Sequence, residues 1–282
     1  MRSSRAVLRR MVVSLAIVGL LLVAVYFVLS PDRAVLFPRW AVDPLPPPPA
    51  DAEQLDLFTD AGDPIVAWLL EPASGGPHPA VLLFHGNAES IASMLPTARM
   101  YSSWGVAVLL VEYPGYAGTP GRPTQRSTTA AAVAGYDALV AMDGIDDDRI
   151  AAHGFSLGGG VAAQLADRRP LRTLVLQSTF TSVRAMFARN RVPPFLCRDP
   201  FRTDRVLGGF DRPVLIIHGT GDTIVPIEHG RDLAAITPDA TLFEIAGDHN
   251  DPPPDEAAYM RAIRTHLERA GVLTDPGGPP PG

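Results

Sequence analysis

The five residues Gly154-Phe155-Ser156-Leu157-Gly158 place a serine between two glycines in a G-x-S-x-G pattern. An apolar run ends at Phe155 and a helical pattern begins at Leu157, so the serine sits on a strand-to-helix turn. So tight a turn forces the serine into a strained backbone conformation, and side chains two residues to either side would collide. Glycine at 154 and 158 removes the collision, while the strain holds the hydroxyl clear of the backbone. The following helix aims its first N–H groups at the same point, which favours a developing negative charge. This is the chemistry of a serine nucleophile attacking a carbonyl.

A serine hydroxyl needs a base, and the base needs an acid to orient it. The chain has seven histidines. His78 precedes the third predicted strand, at the wrong end of a sheet; His153 lies within a strand; His229 and His266 lie on helices. His85 and His218 end strands, but a glycine follows each, and both read as loop-shaping residues. His249 alone stands in the loop after the last strand, and Asp222 stands in the loop after the strand before it. Asp248 and Glu228 compete as acids, although Asp248, adjacent to His249, is poorly placed to orient its ring. Ser156, Asp222 and His249 follow one another in the order a nucleophile elbow requires. The oxygen of a tetrahedral intermediate also needs two donors. The Leu157 N–H is one, and the His85-Gly86-Asn87 loop supplies the other, for which Asn87 N–H is the choice. No metal or cofactor is implied, since water serves as the second nucleophile.

The elements that must hold these residues are legible as alternating runs. Residues 55–59 and 65–70 flank a turn and read as an antiparallel hairpin. Continuous apolar runs follow at 80–84, 106–111, 150–155, 171–176, 214–217 and 241–245, the pattern of strands covered on both faces. Helical patterns over 92–103, 125–142, 157–167, 228–236 and 255–268 separate them. The fold class is therefore α/β, a mostly parallel sheet of about eight strands with helices on both faces. Sites in such sheets form where the strands' carboxyl ends run into loops, which is where Asn87, Ser156, Asp222 and His249 fall. Residues 177–212, long and broken by proline, read as an excursion over the top of the sheet, a short cap.

Composition narrows the classes. A chain of 282 residues, 46% hydrophobic and 19% charged, can bury a sizeable core, and one domain spans 55–270. A net charge of −6 argues against a nucleic-acid partner, and a single cysteine, Cys197, excludes an internal disulfide or a cysteine-based zinc site. The charge is unevenly placed: residues 1–50 carry six arginines and two aspartates, a net of +4, which leaves −10 for the rest. Those arginines surround residues 11–29, nineteen residues without a charge. At ~1.5 Å rise per residue the run reaches ~29 Å, about a bilayer core. No small-x-small cleavage site follows it, so it reads as a transmembrane signal anchor. With residues 1–10 basic, the positive-inside rule predicts a cytoplasmic N-terminus and an extracytoplasmic domain. Residues 30–54, containing Pro44-Leu45-Pro46-Pro47-Pro48-Pro49, read as a stiff spacer holding the domain off the membrane, and 271–282 as a disordered tail.

Phe84-His85-Gly86-Asn87-Ala88, Glu112-Tyr113-Pro114-Gly115-Tyr116, Gly154-Phe155-Ser156-Leu157-Gly158-Gly159, the stretch from His218 to Pro226, and His249-Asn250-Asp251 together resemble the α/β-hydrolase superfamily. Within it the chain looks like the membrane-anchored serine hydrolases with an N-terminal transmembrane helix. The resemblance covers about residues 55–270. It implies Ser156 as nucleophile, Asp222 as acid, His249 as base, and Asn87 and Leu157 as the oxyanion hole. It further implies hydrolysis of esters or thioesters of small-molecule or lipid-like acyl substrates. Glu112, Pro114 and Ala117 depart from the D-Y-x-G-Y-G that the group often shows, a departure that bears on loop shape. A serine peptidase on the same fold and an inactive, membrane-tethered binding module are the other readings. Phe180, Met186, Phe187, Val192, Phe195, Leu196 and Phe201 of the excursion fit an apolar acyl pocket or simply cover the sheet. The negative domain offers anionic headgroups no attraction.

Overall fold

The computed structural model describes the backbone of residues 2–29, 31–73 and 75–274, and the side chains of these residues except 2–8, 26–29 and 31–32. The apolar runs form strands β1 (Glu53–Phe58), β2 (Pro64–Leu70), β3 (His78–Phe84), β4 (Ala107–Val111), β5 (Ile145–Phe155), β6 (Thr173–Gln177), β7 (Val214–Gly219) and β8 (Ala240–Ile245). They make one sheet in the order β1-β2-β4-β3-β5-β6-β7-β8. The hairpin edge is antiparallel and β4 through β8 run parallel. Helices are α1 (Arg2–Leu29), α2 (Pro31–Leu36), α3 (Leu95–Ser103), α4 (Gln125–Val140), α5 (Leu157–Ala166), α6 (Val183–Arg189), α7 (Thr203–Leu207), α8 (Ile227–Ile236) and α9 (Glu256–Arg269).

Alternate strand residues feed two separate apolar layers, as a pleat of period two dictates. Leu82, Leu109, Ala152, Leu176 and Ile216 pack against α4, α5 and α8 through Leu139, Val161, Leu165 and Leu233. Val81, Leu110, Ala151, Val175 and Leu215 pack on the other face against α3 and α9 through Ala98, Tyr101, Ile263 and Leu267. Burial on both faces explains why these strands are apolar without alternation. The helix expected over 92–103 is split. Residues 91–94 form a 3-10 turn and α3 begins at Leu95, because Pro96 suits a first helical turn and cannot donate from an interior one.

Two expected boundaries are corrected. The stretch 30–54 is not a stalk standing off the domain. Phe37 is 2% exposed within the core, Arg33 Nε donates to Asp199 at 2.6 Å, the Leu45 N–H donates to the Ala117 carbonyl at 2.8 Å, and Glu53 opens β1. Burying one aromatic ring, on the order of 2–3 kcal/mol, fastens the segment despite its prolines. At the other end, Val272 and Leu273 belong to the core, so the domain runs past 270; Gly271, at φ +71°, makes the left-handed turn that folds them back against Leu267. Residues 275–282 of the expected tail lie outside the described residues.

The expected apolar span is helical, within α1. Among the described residues no helix is long and apolar enough to cross a membrane; the run continues past Val25 into residues 26–29, whose side chains lie outside the described set. From Met11 to Val25 every side chain is exposed.

Candidate active site

Ser156 joins β5 to α5 at φ +52°, ψ −114°, a conformation that non-glycine residues rarely adopt. Its N–H donates to the Gln177 carbonyl at 2.9 Å, and its carbonyl accepts from Thr179 Oγ1 at 2.7 Å, which fixes the strained turn to the end of β6. A Cβ at 154 would stand inside the Gly158 carbonyl, and one at 158 inside the Phe84 carbonyl. Both glycines are therefore steric requirements, as the spacing predicts. Ser156 holds the N-cap position of α5, yet its hydroxyl caps nothing there. A serine cap ordinarily contributes about 1 kcal/mol. Here the hydroxyl is turned to His249 instead.

His249 Nε2 lies 2.9 Å from Ser156 Oγ, and His249 Nδ1 lies 2.7 Å from Asp222 Oδ2. All three residues are buried, and the His249 ring packs on Phe155 with centroids 5.2 Å apart. Asp222 Oδ1 accepts from the N–H groups of Ile224 at 3.0 Å and Val225 at 2.7 Å. Burial alone would raise the Asp222 carboxyl. Hydrogen bonding from His218, His249 and the Val225 N–H outweighs it and holds the group well below the usual carboxylate range. An ionised Asp222 only accepts, so His249 Nδ1 carries the proton and Nε2 offers its lone pair to Ser156 Oγ. Of the competing acids, Asp248 is bound instead to Thr223 and to the His249 N–H, at 2.7 Å in each backbone case, and Glu228 lies in the first turn of α8.

The loop after β3 is pressed against this turn, since Gly158 abuts the carbonyls of Phe84 and His85. The Gly86 N–H is taken by Glu89 Oε2 at 2.8 Å, while the Asn87 N–H has no acceptor among the described hydrogen bonds. Leu157, as the first residue of α5, has no carbonyl four residues back within its helix to occupy its N–H. The two N–H groups chosen from the sequence are thus open and carried by abutting backbone.

Sequence reasoning missed what holds that loop. His85 and Glu112 are wholly buried, with Nε2 to Oε1 at 2.9 Å. His85 Nδ1 lies 2.8 Å from the Gly86 carbonyl, and Glu112 also accepts from the N–H groups of Tyr113 and Ile91. Tyr113 donates to the His85 carbonyl at 2.9 Å, and Tyr116 to the Asn87 carbonyl at 2.8 Å. Glu112, read from sequence as a departure in loop shape, is the centre of this cluster. His85 and Glu112 each follow a strand, but only the pairing of β3 with β4 brings them together.

Two aromatics of the excursion are buried over α5, while Phe195 is exposed. Phe180 and Phe201 close over Gly160 of α5, and Phe201 packs on Phe37. A cleft of about 730 Å³ opens elsewhere, beside His249, between α3 and α9; Met94, Met100, Phe155, Pro252 and Met260 line it together with Glu89, Arg99, Asp251 and Glu256. His153 lies at its base with Nδ1 3.1 Å from the Tyr101 hydroxyl, and burial pushes it down to about 4, so it is neutral near pH 7. Carboxylates of Asp146, Asp147 and Asp148 come within 4.8 Å of one another, but at the amino end of β5, opposite Ser156.

A family model for the alpha/beta hydrolase fold matches residues 79–205. The alpha/beta hydrolase domain-containing protein WAV2 of Arabidopsis thaliana is 30% identical over 223 residues, covering 71% of this chain and 72% of that protein. The chain belongs to the alpha/beta hydrolase family. A second relative, the uncharacterized Mycobacterium tuberculosis protein Rv2307c, is 34% identical over 223 residues, 76% of this chain and 79% of its own length. Among solved structures, the esterase Pf2001 of Pyrococcus furiosus superposes with a TM-score of 0.66 at 18% identity, covering 81% of this chain and 97% of that one. That likeness is one of fold. In this alpha/beta hydrolase the 79–205 match contains both the Asn87 loop and Ser156, while Asp222 and His249 lie beyond it.

Proposed function

We propose that this alpha/beta hydrolase is a membrane-anchored serine hydrolase that cleaves carboxylic ester or thioester bonds through an acyl-enzyme. One observation carries the reading: the His249 ring bridges Ser156 Oγ and ionised Asp222 at a buried, strained elbow. His249 Nε2 takes the Ser156 proton as Oγ attacks the acyl carbon, Asp222 holds the ring and stabilises the imidazolium, and the Leu157 and Asn87 N–H groups receive the oxyanion. The imidazolium then protonates the leaving alcohol or thiol. Water, deprotonated by the same nitrogen, releases the acid and restores Ser156. The fold shared with a solved esterase is consistent with this chemistry.

The methionine-lined cleft beside His249 supports an apolar acyl group, since methionine adapts to chains of varying shape. The anchor rests on residues 11–29 and on the exposure of every side chain from Met11 to Val25, an arrangement unfavourable in water and ordinary in lipid. Its flanking arginines support a cytoplasmic N-terminus with the domain across the membrane. A fluorophosphonate probe should label the protein and fail to label Ser156→Ala, and p-nitrophenyl esters should be turned over where short peptide amides are not. Undiminished ester hydrolysis by Ser156→Ala, or faster cleavage of the amides, overturns the reading.

A further inference from the structure

We infer that the end of the sheet carrying the site, where the strands' carboxyl ends meet loops, together with residues 177–205 of the excursion, lies against a bilayer surface bearing anionic headgroups. The inference rests on the reading of α1 as a membrane anchor, and three independent observations carry it. The first is where the chain arrives. Arg33 is bound to Asp199, Phe37 packs on Phe201 with ring centroids 6.3 Å apart, and the Leu45 N–H donates to the Ala117 carbonyl. Ala117 belongs to the loop after β4 and Asp199 to the excursion after β6; both lie at the strands' carboxyl ends, as does Ser156 after β5. Only four peptide bonds separate Leu29, the last residue of α1, from Arg33, at most ~14 Å of chain. Too little slack remains for the domain to turn another face to the membrane.

The second observation is apolar exposure. Outside α1, the most exposed large apolar side chains are Trp40 at 80%, Val35 at 75% and Phe195 at 69%. Two belong to the segment that follows α1 and the third to the excursion to which that segment is fastened. A tryptophan this exposed fits the headgroup level, where its ring is both wetted and sheltered.

The third is charge. Residues 177–205, the part of the excursion before it descends to the amino end of β7, carry six arginines against two aspartates, a net of +4 within a chain of −6. Arg184, Arg189, Arg191, Arg202 and Arg205 are exposed. The expectation that this acidic domain offers nothing to anionic lipid holds for its average and fails for this one segment. In this orientation a lipid-borne acyl ester meets Ser156 directly from the leaflet, without crossing bulk water.

Trp40 and Trp104 test the orientation. Trp104 caps α3 just before β4, at the amino end of the sheet, and Trp68 is fully buried. The full chain is placed in nanodiscs of phosphatidylcholine, with or without phosphatidylglycerol, whose acyl chains carry bromine near the headgroup to quench tryptophan. Quenching should be present, abolished in Trp40→Phe, retained in Trp104→Phe, and stronger with phosphatidylglycerol. Exchanging Arg184 and Arg191 for glutamate should remove the phosphatidylglycerol gain while leaving the zwitterionic signal. Quenching that survives Trp40→Phe and vanishes in Trp104→Phe turns the molecule over, and no quenching holds that end off the membrane; either refutes the inference. Indifference to phosphatidylglycerol refutes its anionic part. Extraction by alkaline carbonate is the separate check on the anchor: release from the membrane overturns the anchor and this inference together, whereas retention without Trp40 quenching overturns the inference alone.

Discussion

His249 and His85 each meet a carboxylate at the carboxyl end of the sheet, Asp222 at 2.7 Å and Glu112 at 2.9 Å. Both pairs are buried, and both carboxylates also accept backbone N–H bonds. The pairs differ at the other ring nitrogen. In His249 it faces Ser156 Oγ beside an open cleft; in His85 it faces the Gly86 carbonyl, and the whole pair is sealed. The same two side-chain types therefore serve two purposes. In the proposed hydrolase, the nitrogen free to exchange a proton with a hydroxyl is the base, while the ring with both nitrogens committed braces the loop that carries Asn87.

The largest effects should separate the pairs outright. Ser156→Ala and Asp222→Asn should each lower kcat/KM for a p-nitrophenyl ester by about 10⁴-fold or more, the asparagine because it no longer enforces the Nδ1–H tautomer. Circular dichroism should remain native in both. Next comes Glu112→Gln. It leaves the Ser156–His249 contact in place and weakens the brace, so kcat should drop about a hundredfold, the size of losing one oxyanion donor, with KM nearly unchanged. Fluorophosphonate labelling should be slowed and not lost. The fold should lose about 3 kcal/mol, read from denaturant midpoints, because a buried pair has been broken. A Glu112→Gln enzyme with full kcat would show that the pair braces the fold and not the oxyanion loop.

A third group of histidines lacks any carboxylate partner and extends the contrast to pH. His153 and His266 are buried, and burial pushes each down to about 4 from the usual 6.5. The folded state therefore refuses a proton that the unfolded chain accepts, so stability is full above pH 6.5 and declines as pH falls toward 4. At pH 5 the loss should be roughly 2 kcal/mol for each fully shifted histidine, seen as a falling denaturation midpoint. His153→Gln should flatten the acid limb by that share. An unchanged limb would mean that His153 is accessible to protons in the folded state.

What the sequence made legible follows the same division. The grouping of Ser156, Asp222 and His249 was legible because each stands in a loop after a strand in a recognisable order, and the steric demand on Gly154 and Gly158 is local. The brace was not, since Glu112 matters only once β3 and β4 are neighbours. The cleft's methionines come from α3 and the turn before it and from α9, more than 150 residues apart, and meet only because these elements cover one face of the sheet. Residues 30–54 were misjudged for a different reason: proline content describes an isolated segment, while Phe37 answers to a pocket built by Phe201, far along the chain. Local chemistry reads from sequence; supports assembled across the sheet do not.

The smallest effect concerns the acid adjacent to His249. Asp248 accepts from the Thr223 N–H at 2.7 Å, from Thr223 Oγ1 at 3.0 Å and from the His249 N–H at 2.7 Å, tying the loop after β7 to the loop after β8. These backbone hydrogen bonds, with that of the Thr223 hydroxyl, hold its carboxyl below the usual range, so it is charged at neutral pH. It is nonetheless directed at backbone, and the His249 ring is held by Asp222. Asp248→Asn keeps an amide oxygen for those N–H groups and should lower kcat/KM by less than about tenfold, with the pH profile unmoved. A loss as deep as that of Asp222→Asn would transfer the orienting role to Asp248. Because the two residues converge on one histidine, the double variant decides further. If Asp222 alone orients the ring, Asp222→Asn with Asp248→Asn should be scarcely slower than Asp222→Asn, whereas a deeper collapse would make the two carboxylates partners in one task.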